Sequence, residues 1–222
     1  MSDEVIWVRP EHSAVGRPAE RSRAEITAAA IALADRDGLE AVSMRRVAAE
    51  LGTGAASLYR YVANRDDILD LMADATAAEY VFEPPSGDPV ADLTALGVQG
   101  LAIMRRHPWL PELVMTRASL GPAGADLLER FLSVLDGHPL AATAKLEAFA
   151  MLNAAVAMYA HHEAHADSDY VRRQAAYLAR VAADGSHPML AAAFAATAGP
   201  ADADRFPALL SRIVAGMLGS SA

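Results

Sequence analysis

Cysteine is absent from this 222-residue chain. That excludes disulfides, cysteine nucleophiles and thiolate metal sites, and leaves the compartment open. Long hydrophobic runs are missing too. No stretch of about 18 apolar residues is free of charge, so neither a membrane span nor a membrane partner is expected. The opening MSDEVIWVRPEHS has no basic segment leading into an apolar one and does not read as a signal peptide. The cytoplasm is therefore the expected location. No alternating strand pattern and no internal repeat is visible. No Ser-His-Asp order, Gly-rich phosphate loop or carboxylate pair stands out, so neither an enzyme nor a cofactor is expected.

What the chain has is apolar residues, at 53% of the total. Many are alanines, which favour helix and let helices pack closely. The net charge is −9, an awkward balance for a nucleic-acid partner, but the arginines cluster. Arg17, Arg21 and Arg23 precede or open a first helix. Arg45 and Arg46 open a second, and Arg60 and Arg65 lie in and just after a third. An acidic body suppresses non-specific binding and makes affinity depend on correct docking and low salt.

Residues 1–20 contain Pro10, Gly16 and Pro18 and show no period, so they read as a flexible arm. From about Arg21 to Asp37, Ile26, Ala29, Ala30 and Leu33 fall on one helical face, and Gly38 ends it. Ser43 caps a second helix carrying Met44, Val47, Ala48 and Leu51, and Gly52 stops it. A short third helix follows, with Ala55, Leu58, Tyr59 and Val62 inward. Asn64 caps a fourth, with Asp67 placed as in a capping box. That helix runs to about Tyr80 and links the two parts of the chain. EPPSGDP, Glu83 to Pro89, is the one convincing boundary. Beyond it helices are expected at Val90–His107, Pro111–Ala118, Pro122–Gly137, Leu140–His165, from Asp167 or Ser168 to Asp184, at Met189–Ala198 and at Asp202–Leu218. The fold expected is all-α: a three-helix helix-turn-helix DNA-binding domain over residues 21–67, and a larger helical ligand-binding and dimerisation domain over 68–222.

Ser43 to Asp67, SMRRVAAELGTGAASLYRYVANRDD, carries the most chemistry. Two short amphipathic segments flank a tight turn, the layout that lets one helix enter the major groove of double-stranded DNA. The face of the third helix opposite its core shows Gly54, Ala56, Ser57, Arg60 and Tyr61, and its small residues let backbone approach the groove. Arg45 is placed to reach guanine O6 and N7 with two parallel donors. Tyr59, Tyr61, Arg65 and the start of the fourth helix suit phosphate. Tyr59 has an alternative as pure core. The expected DNA-binding set is Ser43, Arg45, Arg46, Gly54, Ala55, Ser57, Tyr59, Arg60, Tyr61, Asn64 and Arg65.

The stretch from about Arg23 to Ala75 resembles the DNA-binding domain of the TetR family of bacterial repressors. LYRYV followed by Asn64 and Arg65 is the most specific part. From about Asp88 the chain is more loosely similar to the ligand-binding domain of the tetracycline repressor. The resemblance implies a homodimer, with two long C-terminal helices per subunit forming a four-helix bundle, that leaves its operator when a small molecule enters the body. It places Arg45 at a base, Ser57 and Tyr61 in the groove, and Tyr59 and Arg65 at phosphates. Thr53, where the family often has an aliphatic residue, and Ala63, where a basic one is common, depart from it.

In the body, Met104, Trp109, Met115, Met151 and Asn153 are the expected effector-binding residues. They would line a mostly apolar cavity that takes a largely hydrophobic small molecule. Asn153 is a lone amide in an apolar helix. It serves as a ligand handle, a dimer contact or a core hydrogen bond, and the sequence leaves all three open. His161 and His165 have the i, i+4 spacing that can hold a divalent ion. HHEAH also reads as a polar helix end, and no metal is expected. Ala141, Ala144, Ala148, Ala154, Ala155, Leu209, Ile213 and Met217 suit close helix contacts across a two-fold axis. The expected function is a transcriptional regulator, a repressor released from a palindromic operator by a small hydrophobic effector. The rivals are a DNA-binding regulator without effector, a helical small-molecule enzyme and a protein-binding adaptor.

Overall fold

The computed structural model describes residues 4–10, 21–117, 120–166, 168–196 and 205–219. Among these residues all regular structure is helical. The head begins with α1 (Arg23–Asp37). Ser22 caps it through a complete capping box with Glu25, an S-x-x-E signal one residue from the expected start. α1 buries Ile26, Ala30 and Leu33 and ends at Gly38, whose φ of 82° suits glycine. α2 (Met44–Glu50) is capped by Ser43 and buries Val47 and Ala48 against α1. α3 (Ala55–Leu58) is a single turn that packs on α2. α4 (Arg65–Ala77) starts at Asn64, whose side-chain oxygen accepts from the Asp67 N–H at 2.9 Å. It buries Ile68, Leu69, Leu71 and Met72.

α4 reaches out of the head and packs on α6 and α7 as well as α1. The body comprises α5 (Pro89–Arg106), α6 (Leu110–Thr116), α7 (Pro122–Val134), α8 (Ala142–Ala164), α9 (Asp169–Ala183), α10 (Pro188–Ala196) and α11 (Phe206–Leu218). Asp88 and Pro89 start α5 with a side-chain cap and a proline in the first turn. α5 lies against both α8 and α11, and α6 lies on α8. The buried rows are Leu152, Val156 and Ala160 on α8, and Phe206, Leu210, Val214 and Leu218 on α11, at helical spacing. α9 and α10 pair with each other, and among the described residues Ala182 is the one buried side chain they contribute. Ala148, expected at a subunit contact, is core instead. No helix among the described residues is long and apolar enough to cross a membrane. Residues 197–198 and 202–204, expected within the last two helices, lie outside the described residues.

The N-terminal arm is a correction. Residues 11–20 lie outside the described residues, but Ile6–Val8 form a 3₁₀ turn and Ile6 is fully buried. Arg23 holds this segment, donating to the carbonyls of Ile6, Arg9 and Pro10 and also to that of Tyr61. Arg9 pairs with Asp67 on α4 at 2.5 Å. Trp7 lies against Gly121 at the start of α7: a Cβ there would stand 2.5 Å from the indole. The apolar triplet Ile6-Trp7-Val8 was the available signal for a docked strap.

Candidate functional site

The outward face of α2 and α3 carries small residues flanked by charge. Gly54 and Ala56 are exposed, and Ala55 is half-buried against the core. The Ser57 hydroxyl donates to the Gly54 carbonyl at 2.7 Å and lies 2.8 Å from the Thr53 hydroxyl, which ties the turn to the helix. Arg45 and Arg60 are exposed, and neither side chain has a partner among the described residues. Among the described residues, they are the head cations on this face whose donors are free for a ligand.

Other members of the expected set are spent within the fold. Arg65, expected at phosphate, also staples the fold: its Nε donates to the Val42 carbonyl at 2.8 Å and its Nη2 to that of Leu39 at 3.1 Å. Arg46 pairs with Asp37, which also binds Arg36, and Arg36 reaches Glu50 at 2.5 Å. Hydrogen bonding from Arg36 holds the Asp37 carboxyl below the usual aspartate range. Ser43 and Asn64 commit their side-chain oxygens to helix caps. Tyr61, expected in the groove, is 7% exposed, while Tyr59, expected at phosphate with pure core as its alternative, is 58% exposed, which goes against the core alternative. The cause is local. α3 stops at Leu58, and the backbone tightens to i→i+3 bonds at Arg60 and Tyr61, so a 3.6-residue period no longer holds.

A polar seam joins head to body. Asp35 on α1 accepts from the Trp109 indole N–H at 2.6 Å and from His107 Nδ1 at 2.8 Å. The other nitrogen of His107 lies 2.9 Å from Glu79, which also pairs with Arg106. Past the far end of α6, Arg117 binds Asp66 at 2.8 Å and Asp70 at 3.0 Å, both on α4. Burial works against the Arg117 charge, but the two carboxylates outweigh it and hold its pKa above the usual arginine value. So α6 is pinned to the head at both ends.

Between α4, α5, α6, α7 and α8 lies a cavity of about 550 Å³. Met104, Met115 and Asn153 line it as expected, together with Leu113, Leu127 and Phe149. Trp109 does not; its N–H is engaged at the seam. Met151 does not either, being 59% exposed on the outer side of α8. Spacing carried that signal: Met151 stands two residues from both Phe149 and Asn153, on the other side of the helix. The wall is also less uniformly apolar than expected. Asp70, Asp74, Tyr80 and Arg117 line it. Asp74 accepts from the Gly124 N–H at 2.9 Å and caps α7 from α4. His161 and His165 stack with ring centroids 4.3 Å apart, and His165 Nδ1 faces its own helix's His161 carbonyl.

These two sites, a groove-shaped head and a hollow body, occur together in known proteins. Residues 26–72 match the pattern of bacterial regulatory proteins of the tetR family, and residues 83–220 match the tetracyclin repressor-like C-terminal domain. The chain belongs to the TetR family. The HTH-type transcriptional repressor DrrR1 of Streptomyces coeruleorubidus is 34% identical over 96% of this chain and 83% of its own length. Apo ActR from Streptomyces coelicolor superposes with a TM-score of 0.77 at 30% identity, covering 92% of this chain and 97% of that one. ActR in complex with actinorhodin gives 0.73 at 30% identity, covering 92% and 100%. The chain is thus an all-α transcriptional regulator of TetR type, with a DNA-binding head and an effector-binding body.

Proposed function

We propose that the chain represses transcription as a cytoplasmic homodimer on a palindromic operator and is released by a largely apolar small molecule. Arg45 reads a base edge in the major groove, Arg60 and Tyr59 contact phosphate, and Gly54, Ala56 and Ser57 allow close approach. Two heads bind two half-sites when their reading helices are about 34–36 Å apart. The outer faces of α8 and α11, with Met151, Leu209 and Ile213, supply the subunit contact.

One observation carries the release mechanism: α6 forms a wall of the cavity and is fastened to the head at both ends. A ligand that prefers a different α6 position shifts Asp35 on α1 and Asp66 and Asp70 on α4. The spacing of the two heads then changes by population shift, to the extent of the ligand's differential affinity. That ActR is known in complex with actinorhodin supports a small-molecule ligand for this chain. The test is fluorescence anisotropy on DNA chosen by binding-site selection. Tight, salt-dependent binding to a palindrome supports the reading, and absence of any selected sequence contradicts it.

A further inference from the structure

Two polar atoms in the cavity wall, the Tyr80 hydroxyl and the Asn153 side-chain oxygen, have no hydrogen-bond partner among the described residues, and both residues lie at the same end of the cavity. Tyr80 follows α4 and lays its ring over α5 where Gly100 leaves room; a Cβ on Gly100 would stand 2.5 Å from the phenol oxygen. The hydroxyl has no hydrogen-bond partner among the described residues. Burial pushes its pKa to about 12, so it is a neutral phenol with a proton to donate. Asn153 on α8 donates its amide N–H to the Phe149 carbonyl at 2.8 Å. That carbonyl can only accept, which fixes the amide orientation and leaves the side-chain oxygen of Asn153 as an unused acceptor. Both residues line the main cavity and also the narrow space that continues between α5, α7 and α8. Arg117 also lines the cavity, and its buried Nε has no partner among the described residues. The Thr76 hydroxyl donates to Ala73, Asp74 caps α7, and Asp70 holds Arg117.

We propose that Tyr80 and Asn153 form a hydroxyl-reading subsite: the effector is an apolar ring system with a hydroxyl at its buried end, accepting from Tyr80 and donating to Asn153. The inference rests on the cavity being the effector site. A hydroxyl is the smallest group that satisfies both residues at once. An ether or ketone satisfies Tyr80 alone, an amine N–H satisfies Asn153 alone, and a hydrocarbon leaves both unpaired. A cavity of about 550 Å³ admits three or four fused rings.

Three probes separate these cases: 9-phenanthrol, 9-methoxyphenanthrene and phenanthrene, titrated by fluorescence against the full chain without DNA at pH 7. The expected order of affinity is phenanthrol, then the methyl ether, then the hydrocarbon, with roughly fivefold or more at each step. Tyr80→Phe removes the advantage of the methyl ether over the hydrocarbon and lowers that of phenanthrol, which keeps its bond to Asn153. Asn153→Leu removes only the advantage of phenanthrol over its ether. Phenanthrene binds both variants as it binds the wild type, which shows that the cavity is intact. If Tyr80→Phe weakens phenanthrene as well, the wild-type ranking and Asn153→Leu decide alone. Equal affinity for all three probes, equal losses in both variants, or no binding of any probe overturns the subsite. Operator release is measured separately. Ranked binding without release contradicts the effector reading and leaves the subsite standing. Unranked binding with release does the reverse.

Discussion

The outward face of α2 and α3 and the seam around α4 carry the same side chain, arginine, and use it in opposite ways. At the seam, Arg23, Arg65 and Arg117 each place two or more donors on carbonyls or carboxylates. On the outward face, Arg45 and Arg60 place none. A guanidinium that satisfies buried carbonyls is part of the fold, and removing it leaves those acceptors unpaired. A guanidinium held in water without a partner costs the fold little, and a phosphate or a guanine edge can take it without breaking an internal bond. On the proposed reading, the contrast separates arginines offered to DNA from arginines that hold the shape that meets it.

The strongest way to break the contrast is to remove the outward pair. Arg45→Ala with Arg60→Ala should lower operator affinity by roughly a hundredfold or more, since a base contact alone is worth about 1–3 kcal/mol. Thermal stability should stay within about 0.5 kcal/mol of wild type. A loss of stability matching the loss of binding would put these arginines in the fold. The reverse substitution is Arg65→Ala. It should cost about 1–3 kcal/mol in urea unfolding, with operator specificity unchanged in the fraction that remains folded.

The cavity gives a third state, a half-buried phenol whose hydroxyl has no partner among the described residues. Tyr80 has a folded-state pKa of about 12 against an ordinary value near 10. As pH rises past 10 the unfolded chain loses this proton first, so the unfolded state is favoured, and stability falls until the folded-state pKa is passed. The loss should be roughly 1 kcal/mol by pH 11. Tyr80→Phe should flatten that part of the profile in urea melts, and an unchanged profile would mean that the phenol is not buried in solution. The smallest expected effect is at Ser57, whose hydroxyl bonds only within the turn. Ser57→Ala should cost about 0.5–1 kcal/mol of stability and leave base preference in a binding-site selection untouched.

Much of the head was legible because its signals are local. Ser43, Gly52 and Asn64 each act through backbone within four residues, and the helices start and stop beside them. The tyrosines were not, because periodicity was carried past the end of a four-residue helix. Arg65 resembles Arg60 in sequence, and only folding brings Val42 and Leu39 to its donors, 23 and 26 residues away. Trp109 has the composition of a pocket wall, yet its indole N–H meets Asp35 across 74 residues. Met104, Met115 and Asn153 were placed at the cavity from residue type and helix face. That α4, a head helix, also walls the cavity follows from tertiary packing and had no local mark beyond its Asp66-Asp70-Asp74 spacing.

The central claim is that, on the outward face of α2 and α3, an arginine without an internal partner is offered to DNA, and the salt dependence of operator binding tests it most directly. Plots of log affinity against log salt should be compared for wild type, Arg60→Ala and Arg65→Ala. Each phosphate contact contributes a slope of about 0.9. Arg60→Ala should lower the slope by about that amount per protomer, and Arg65→Ala should leave it unchanged. A slope lowered by Arg65→Ala and unaltered by Arg60→Ala would contradict the account.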